Sequence, residues 1–421
     1  MADMSSGVPV GGPVDDLLGL LRRGQVSASE VAAAHLAALR QADAQTNAVA
    51  FFEDDRVLAD AARLDRAFAD GGAAGPLHGL PVTVKDWIDV AGFPCAGDTG
   101  EVRRRPRRDA TVVARLRGAG AVVLAKTQAW GPDSEPGLVR HPADPARTAG
   151  GSSTGEAVVV AAGASPLGFG SDSGGSIRLP AAWCGTCGLK PTTGRVPTTG
   201  HFPRVGALSD GRTQIGPLAR RVANLERVLP IIAGPDWEDA GVAPVPLRPA
   251  SEAELAGARF AAVTGEPGWA AASPLAAAVE RAADVLEGAG LARAAWTAPW
   301  LAEALHITRR YWARIRCELS GEETERLLTD WDSFRRHYLM AAEHIELLLT
   351  PTTQDTAPLH RPVTGDDFVF TLPASLTGSP AVTVPAGRDS SGMPIGVQLV
   401  GRPWEDHRVL AAARLLEAAG E

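Results

Sequence analysis

The stretch 109–126, DATVVARLRGAGAVVLAK, carries the pattern that decides the fold class. Its first part, 109–120, has apolar residues at helical spacing and ends in glycines, which is typical of an amphipathic helix. The remainder, 121–126, is a short apolar run of the length expected for a buried strand. A helix followed at once by a buried strand indicates an α/β fold.

The same two kinds of segment extend in both directions from this stretch. Helical patterns cover 14–24, 27–42 and 54–71, and the second opens with a capping box formed by Ser27 and Glu30. Short apolar runs typical of strands lie at 80–90, 121–126, 167–171, 259–264, 347–351, 381–385 and 395–400. We therefore predict a large mixed, twisted β-sheet covered by α-helices on both faces.

The chain offers no repeat of fixed period and no convincing linker, so we predict a single domain over 1–421, with 1–12 flexible. The Pro- and Ala-rich stretch 235–254 is the expected long surface excursion.

Composition limits the partners. With 421 residues, 45% of them hydrophobic, the chain can bury a large core. A net charge of -8 disfavours nucleic-acid binding, and the arginine run 103–108 is interpreted as a solvated loop. The sequence shows neither a signal peptide nor an apolar run long enough to span a membrane. We expect a cytoplasmic protein without membrane or nucleic-acid partners, as a monomer or homodimer.

Cys184 and Cys187 form a C-x-x-C pair that suits half a zinc site, a redox pair or two packed thiols. Cys95 and Cys317 are isolated, and no second pair completes a ligand set. We favour packed thiols and expect no metal and no cofactor.

Two clusters rich in serine and glycine suggest nucleophilic chemistry: TAGGSSTGE (148–156) and GFGSDSGGSIRLP (168–180). Ser153 formally fits the G-x-S-x-G nucleophile elbow, which requires a strand immediately before the serine. The preceding segment 141–150 has two prolines and no apolar run, which argues against an elbow.

No histidine lies within twenty residues of the second cluster, so another base must be considered. Lys85 ends an apolar run, LPVTVK, and burial there would lower the pKa of its amine towards neutrality. The alternative is a lysine at a strand end whose amine reaches water.

Four motifs in fixed order closely resemble the amidase signature family. They are GLPVTVKD (79–86), GGSSTGE (150–156), SDSGGSIRLPA (171–181) and GLKPTTGRV (188–196), with further matches at 109–127, 215–229, 347–353 and 379–406. Ser152 and Ser176 are 24 residues apart, as the two catalytic serines of that family are. The resemblance implies the amidase signature fold, with Ser176 as nucleophile, Ser152 as proton relay and Lys85 as base. It also implies a cis peptide bond between Gly151 and Ser152.

The same resemblance places an oxyanion hole at Ser173, Gly174, Gly175 and Ser176, whose glycines let backbone N–H groups converge on one point. We expect Asp172 and Arg178 to pair and fix this loop, with an ordinary surface ion pair as the alternative. Ser153 is expected to hydrogen-bond near Lys85, and Ser171 is interpreted as a turn residue.

Departures from the family pattern concern the pocket. Trp130 follows an unusual AKTQAWGPD segment (125–133), and we expect substrate contacts at Trp130, Gly150 and Gly151. The segment 296–347 looks short, which predicts a wide cleft with Tyr311 or Trp312 beside its opening.

Three functions follow. The first is a hydrolase of small-molecule amides, extending to bulky aryl amides and carbamates, as a urethanase would. The second is the amidase subunit of a glutamine-dependent tRNA amidotransferase, and the third is a binding protein on an inactive amidase scaffold. The aromatic neighbourhood favours the first, and the intact triad positions disfavour the third.

Overall fold

The computed structural model describes residues 7–72, 74–97, 104–129, 139–203, 206, 210–296 and 300–420. The helices are α1 (Val14–Arg22), α2 (Ala28–Thr46), α3 (Asp54–Ala69), α4 (Thr111–Gly118), α5 (Thr154–Ala161), α6 (Arg178–Cys184), α7 (Val222–Ile232), α8 (Ser273–Gly288), α9 (Leu301–Ile315), α10 (Gly321–Ala341), α11 (Leu372–Thr377) and α12 (Asp406–Ala419). Short 3-10 turns lie at Glu252–Leu255, Ala342–His344 and Gly365–Phe368.

The strands are β1 (Val49–Phe52), β2 (Pro81–Lys85), β3 (Val122–Thr127), β4 (Leu167–Asp172), β5 (Cys187–Lys190), β6 (Gln214–Ala219), β7 (Arg259–Ala262), β8 (Gly265–Glu266), β9 (Trp269–Ala270), β10 (Ala292–Arg293), β11 (Leu347–Pro351), β12 (Ala381–Arg388) and β13 (Pro394–Gly401). Within the described residues, eleven of them form one sheet in the order β1-β3-β2-β4-β6-β5-β12-β13-β11-β7-β10. Strand β2 runs parallel to β3 and β4, whereas β4–β6 and β12–β13 are antiparallel, so the sheet is mixed as predicted.

Helices cover both faces of this sheet, as strand β13 shows. A Cβ atom added at Gly396 would lie 2.6 Å from Ala182 of α6, and one at Gly401 would lie 2.4 Å from Val409 of α12. Because side chains alternate along a strand, positions 396 and 401 face opposite sides. The two glycines thus let one helix approach each face of the sheet.

The sheet also brings the two chemically interesting segments together. Strands β2 and β4 are parallel neighbours, with Val84 opposite Phe169. Their carboxyl ends, at Lys85 and Asp172, therefore meet at the same edge, and loops from this edge carry the serine clusters.

Most element predictions are confirmed, including the capping box of Ser27 and Glu30. The predicted strand 80–90 ends earlier, at Lys85, because the chain turns at 86–87. Of the supposedly flexible 1–12, residues 1–6 lie outside the described part, whereas Val8 is buried and the Gly12 N–H donates to Pro9. The excursion 235–251 has no helix or strand among its described residues, as predicted.

The arginine run is a loop whose charges are paired on the surface. Arg104 pairs with Asp89, Arg105 with Glu53 and Arg108 with Glu238, while Arg103 lies outside the described residues.

The thiols of Cys184 and Cys187 are both free and buried. The described ranges contain neither a cluster of three metal-ligating side chains nor a helix long and apolar enough to cross a bilayer.

Candidate active site

Lys85 is the centre of the site. Its Nζ lies 2.7 Å from Ser152 Oγ and 3.0 Å from Ser171 Oγ, and it sits 3.9 Å above the centre of the Trp87 ring. The side chain is fully buried. Burial lowers the pKa of Lys85 well below its usual value, and the charges of Asp172, Glu156 and Asp86 offset this only in part. The amine is therefore suited to accept a proton near neutral pH.

Ser152 reaches Lys85 because two glycines turn the chain before it. Gly150 and Gly151 both have φ of +66°, which L-residues rarely adopt. A Cβ atom at Gly150 would lie 2.2 Å from the Trp183 ring, so the loop packs closely on α6. The expected cis bond before Ser152 is not found: in the described residues the only cis peptide bond is Phe202–Pro203. The turn is made by the two positive φ angles instead.

Ser176 lies in the loop between β4 and α6 and is half-buried, unlike the buried Lys85 and Ser152. The Ser153 N–H donates to the Ser176 carbonyl at 3.1 Å, which holds the two serine clusters side by side. Among the described contacts, none joins Ser152 Oγ to Ser176 Oγ within hydrogen-bond distance. The two hydroxyls thus occupy adjacent loops, with Ser176 the more accessible.

Asp172 and Arg178 fix this loop from below. Arg178 donates to both carboxylate oxygens of Asp172, at 2.9 and 3.0 Å, and both side chains are fully buried. Burial raises the pKa of Asp172, but the charge and hydrogen bonds of Arg178 lower it more, so the net pKa is below the usual value. The predicted pair is confirmed, and the surface ion-pair alternative is wrong.

The guanidinium of Arg178 also ties the loop to two distant elements. It donates to the Thr371 carbonyl, Gln398 Oε1 and Ser375 Oγ at 2.8–2.9 Å. Strand β13 and helix α11 are therefore anchored to the loop that carries Ser176.

The predicted oxyanion hole is corrected at one position. The Gly175 N–H donates to Asp172 Oδ1 at 2.7 Å, so it is already engaged and cannot bind a substrate oxygen. In the described structure no hydrogen bond engages the N–H groups of Ser173, Gly174 or Ser176. Thr371 Oγ1 donates to the Gly174 carbonyl at 2.5 Å, which turns that peptide and fixes its N–H direction.

Ser153 does not have the environment of a nucleophile. It is fully buried, and its hydroxyl contacts the backbone N–H and carbonyl of Ser171 at 3.2 and 3.1 Å. Since the hydroxyl of Ser171 contacts Lys85, Ser153 supports the site one residue away, as expected.

Sequence reasoning missed two residues of the site. Ser171, interpreted as a turn residue, is the last but one residue of β4, and its hydroxyl contacts Lys85. His201 Nε2 lies 2.9 Å from Ser171 Oγ. The position of Ser171 inside a matched motif was a usable signal, whereas nothing in the spacing of His201 pointed to the site.

The expected pocket residues have mixed outcomes. Trp130 lies outside the described residues. Trp312 is half-buried, and its ring lies 3.5 Å from the point where a Cβ of Gly174 would be, so it borders the loop. Tyr311 is fully buried under Arg212, whose guanidinium lies 4.2 Å from its ring centre, so it lines no opening. The supposedly contracted segment 296–347 contains α9 and α10, which wall this side of the loop.

The comparisons with known proteins agree with this geometry. The family model described as Amidase matches residues 30–320 and 322–410. A subunit of the Glutamyl-tRNA(Gln) amidotransferase of Symbiobacterium thermophilum is 33% identical, over 94% of this chain and 94% of its own length. The corresponding subunit from Chloroflexus aggregans is also 33% identical, over 93% and 92%.

Two solved structures extend the comparison. The peptide amidase of Stenotrophomonas maltophilia has a TM-score of 0.78 at 27% identity, covering 97% of this chain and 96% of that one. A structure described as a vestigial protein complex that reveals the origins of an s-triazine catabolic enzyme has a TM-score of 0.82 at 30% identity, covering 97% and 99%. The chain belongs to the amidase family, the amidase signature family that its motifs resemble.

Proposed function

We propose that this protein hydrolyses amide C–N bonds through an acyl-enzyme on Ser176, with Ser152 as proton relay and Lys85 as base. The observation that carries the proposal is the contact of 2.7 Å between the fully buried Lys85 amine and Ser152. A buried amine that is neutral near pH 7 can accept a proton, whereas an ordinary surface lysine cannot.

The proton moves in two short transfers. Ser152 donates its hydroxyl proton to the lone pair of Lys85 and takes the proton of Ser176 as that oxygen attacks the carbonyl carbon. The same chain then runs in reverse and protonates the leaving nitrogen, which departs as an amine or ammonia. Water, activated by the same base, attacks the remaining ester, releases the acid and restores Ser176.

The negative charge on the attacked carbonyl oxygen needs donors already in position. The N–H groups of Gly174 and Ser176, with that of Ser173, are the candidates, because the Gly175 N–H is bound to Asp172. Asp172 and Arg178 hold the loop so that these groups need little rearrangement during the reaction.

Glutamine is the substrate that the relatives favour. Both of the amidotransferase relatives match over nearly their whole length at 33% identity, which supports the amidotransferase reading more than the aryl amide or urethanase reading of the sequence analysis. In that reading the chain works beside partner proteins, and ammonia released from glutamine is its product. The alignment with the Symbiobacterium relative spans 465 positions, more than the 421 residues here, so the relative has segments that this chain lacks.

A second candidate, hydrolysis of bulky or aryl amides and carbamates, is supported by one observation. Trp312 and Phe368 contact each other at 6.2 Å between ring centres and lie beside Gly174 and Gly175, respectively. Aromatic surface next to the nucleophile loop suits an apolar substrate, handled by a monomer or homodimer without other proteins.

One substrate panel tests the proposal and separates the candidates. Purified protein and its Ser176→Ala variant are assayed with glutamine, acetamide, an anilide and an aryl carbamate. Hydrolysis by the unmodified protein alone supports the proposed chemistry, and no hydrolysis above the variant contradicts it. A kcat/KM for glutamine above that of the aryl compounds supports the amidotransferase reading. An advantage of the aryl compounds of about tenfold or more supports the second candidate.

A further inference from the structure

We infer that His201, acting through Ser171, orients the lone pair of Lys85 towards Ser152 and thereby sets the direction of proton transfer. The inference rests on the proposed function, because it requires Lys85 to act as the base. It makes His201 a positioning residue that contacts neither the nucleophile nor the relay serine.

The backbone holds His201 at the carboxyl end of β2. Its residue pairs with Ile88 in an isolated bridge. On either side, the Asp89 N–H donates to the Gly200 carbonyl at 2.9 Å, and the Phe202 N–H donates to the Trp87 carbonyl at 2.6 Å. The imidazole ring is nearly perpendicular to the Trp87 ring, with centres 6.0 Å apart. The histidine is thus fixed by both main chain and side-chain packing.

The contacts of the imidazole determine its tautomer. Nδ1 lies 2.8 Å from the Pro203 carbonyl oxygen, and a carbonyl can only accept a hydrogen bond. Nδ1 therefore carries the proton. In a neutral imidazole the other nitrogen, Nε2, is then an acceptor, and the hydroxyl of Ser171 at 2.9 Å is its donor.

Because Ser171 has a single hydroxyl proton and donates it to His201, Ser171 can only accept from Lys85. The neutral amine of Lys85 has two N–H bonds and one lone pair. One N–H donates to Ser171 at 3.0 Å, and the other lies over the face of the Trp87 ring. The lone pair is left for Ser152 at 2.7 Å, which is the direction that the relay requires.

Without an acceptor at position 201, the Ser171 hydroxyl would be free to turn towards Lys85. It would then compete with Ser152 for the one lone pair of the amine. Part of the population would hold Lys85 in an orientation that cannot take the proton of Ser152. The expected consequence is slower attack by Ser176 without a change in which group titrates.

The charges around His201 keep it neutral. Burial lowers its pKa to about 4, although the Pro203 carbonyl raises it; Lys85 and Arg104 lower it further, and Asp210 raises it. The imidazole is therefore uncharged between pH 6 and 9, and any change of rate in that range comes from other groups.

The test measures the second-order rate of fluorophosphonate attachment to Ser176, located by peptide mass spectrometry, from pH 6 to 9. His201→Phe keeps an aromatic ring but removes the acceptor. His201→Gln restores an acceptor oxygen for Ser171. His35→Phe is the matched control, since His35 is buried and its Nδ1 also contacts a carbonyl oxygen, that of Ala164, at 2.9 Å.

We expect His201→Phe to react about tenfold more slowly at every pH, with the midpoint of its pH profile unmoved. His201→Gln should recover to within about threefold of the unmodified protein, and His35→Phe should match it. Ser171→Ala should cost less in the His201→Phe background than alone, because it then removes the competing hydroxyl.

Normal labelling of His201→Phe, or a His201→Gln variant as slow as His201→Phe, would overturn the inference. So would a cost of Ser171→Ala that is equal in the two backgrounds. If the unmodified protein itself shows no adduct on Ser176, it is the proposed function that fails. Circular dichroism and unfolding midpoints confirm that each variant compared is folded.

Discussion

Replacing Arg178 by methionine tests how the nucleophile loop is held. The guanidinium donates five hydrogen bonds, to Asp172 twice and to the Thr371 carbonyl, Gln398 and Ser375. Removing it leaves Asp172 buried with only the backbone N–H groups of the loop, and an unpaired buried charge costs about 3–5 kcal/mol. For a chain of this length that free energy of unfolding corresponds to a midpoint lowered by roughly 3–6 °C.

Arg195→Met is the matched control. Arg195 also forms a buried pair, with Asp406 at 3.1 Å, and donates to the Val245 and Trp404 carbonyls. Both variants should lose similar stability. Only Arg178→Met should also lose fluorophosphonate reactivity at Ser176, by about 100-fold, because a loop displaced by about 1 Å misplaces its nucleophile. Equal losses of reactivity in the two variants would refute the reasoning.

The stability difference should depend on pH with a defined sign. In the unmodified protein the pKa of Asp172 is lowered, so its contribution to stability is present above the unfolded pKa and is lost as pH falls through the folded value. In Arg178→Met burial remains and raises this pKa, so stability is lost as pH rises. The gap between the two proteins in urea unfolding should be wider at pH 7.5 than at pH 5, and a constant gap would contradict this.

The remaining predictions concern a glycine of the loop, the base and the thiols. Gly175→Ala should lower stability by at least about 1–3 kcal/mol and slow Ser176 labelling, because φ is +133° and the new Cβ would lie 2.2 Å from Thr371 Oγ1; Gly288→Ala, with open space around it, should do neither. Lys85→Met should abolish hydrolysis yet raise stability at pH 7 in urea titrations, and its advantage should shrink by about 1.4 kcal/mol per pH unit between the lowered folded pKa and the unfolded value, because the unfolded lysine binds a proton that the folded one lacks. Iodoacetamide or a chelator should leave hydrolysis unchanged, since the exposed thiol, Cys317, belongs to no part of the site; loss of activity with either reagent would contradict this.

The sequence was sufficient for what depends on local pattern and motif order. Strand lengths, the capping box at Ser27, the sheet covered on both faces and the proximity of Lys85 to Ser152 all followed from it. Burial of Lys85 was predictable because the residues before it are almost all apolar.

Features that depend on contacts between distant loops were not predictable. His201 reaches Ser171 only because the backbone at Gly200 and Phe202 pairs with the turn after β2, which no spacing encodes. The engagement of the Gly175 N–H by Asp172 was missed because glycine content indicates flexibility but does not say which donor is free. Tyr311 was misplaced for a related reason: its neighbour Trp312 faces the loop, and the helix phase there is set by packing.

The central claim is that Ser176, activated through Ser152 by neutral Lys85, forms the covalent intermediate. Mass spectrometry of peptides after brief reaction with a fluorophosphonate tests it most directly, with the Lys85→Met variant treated in parallel. The account predicts one adduct, on Ser176, and almost none in the variant. An adduct on Ser153, or equal labelling of Ser176 without Lys85, would contradict it.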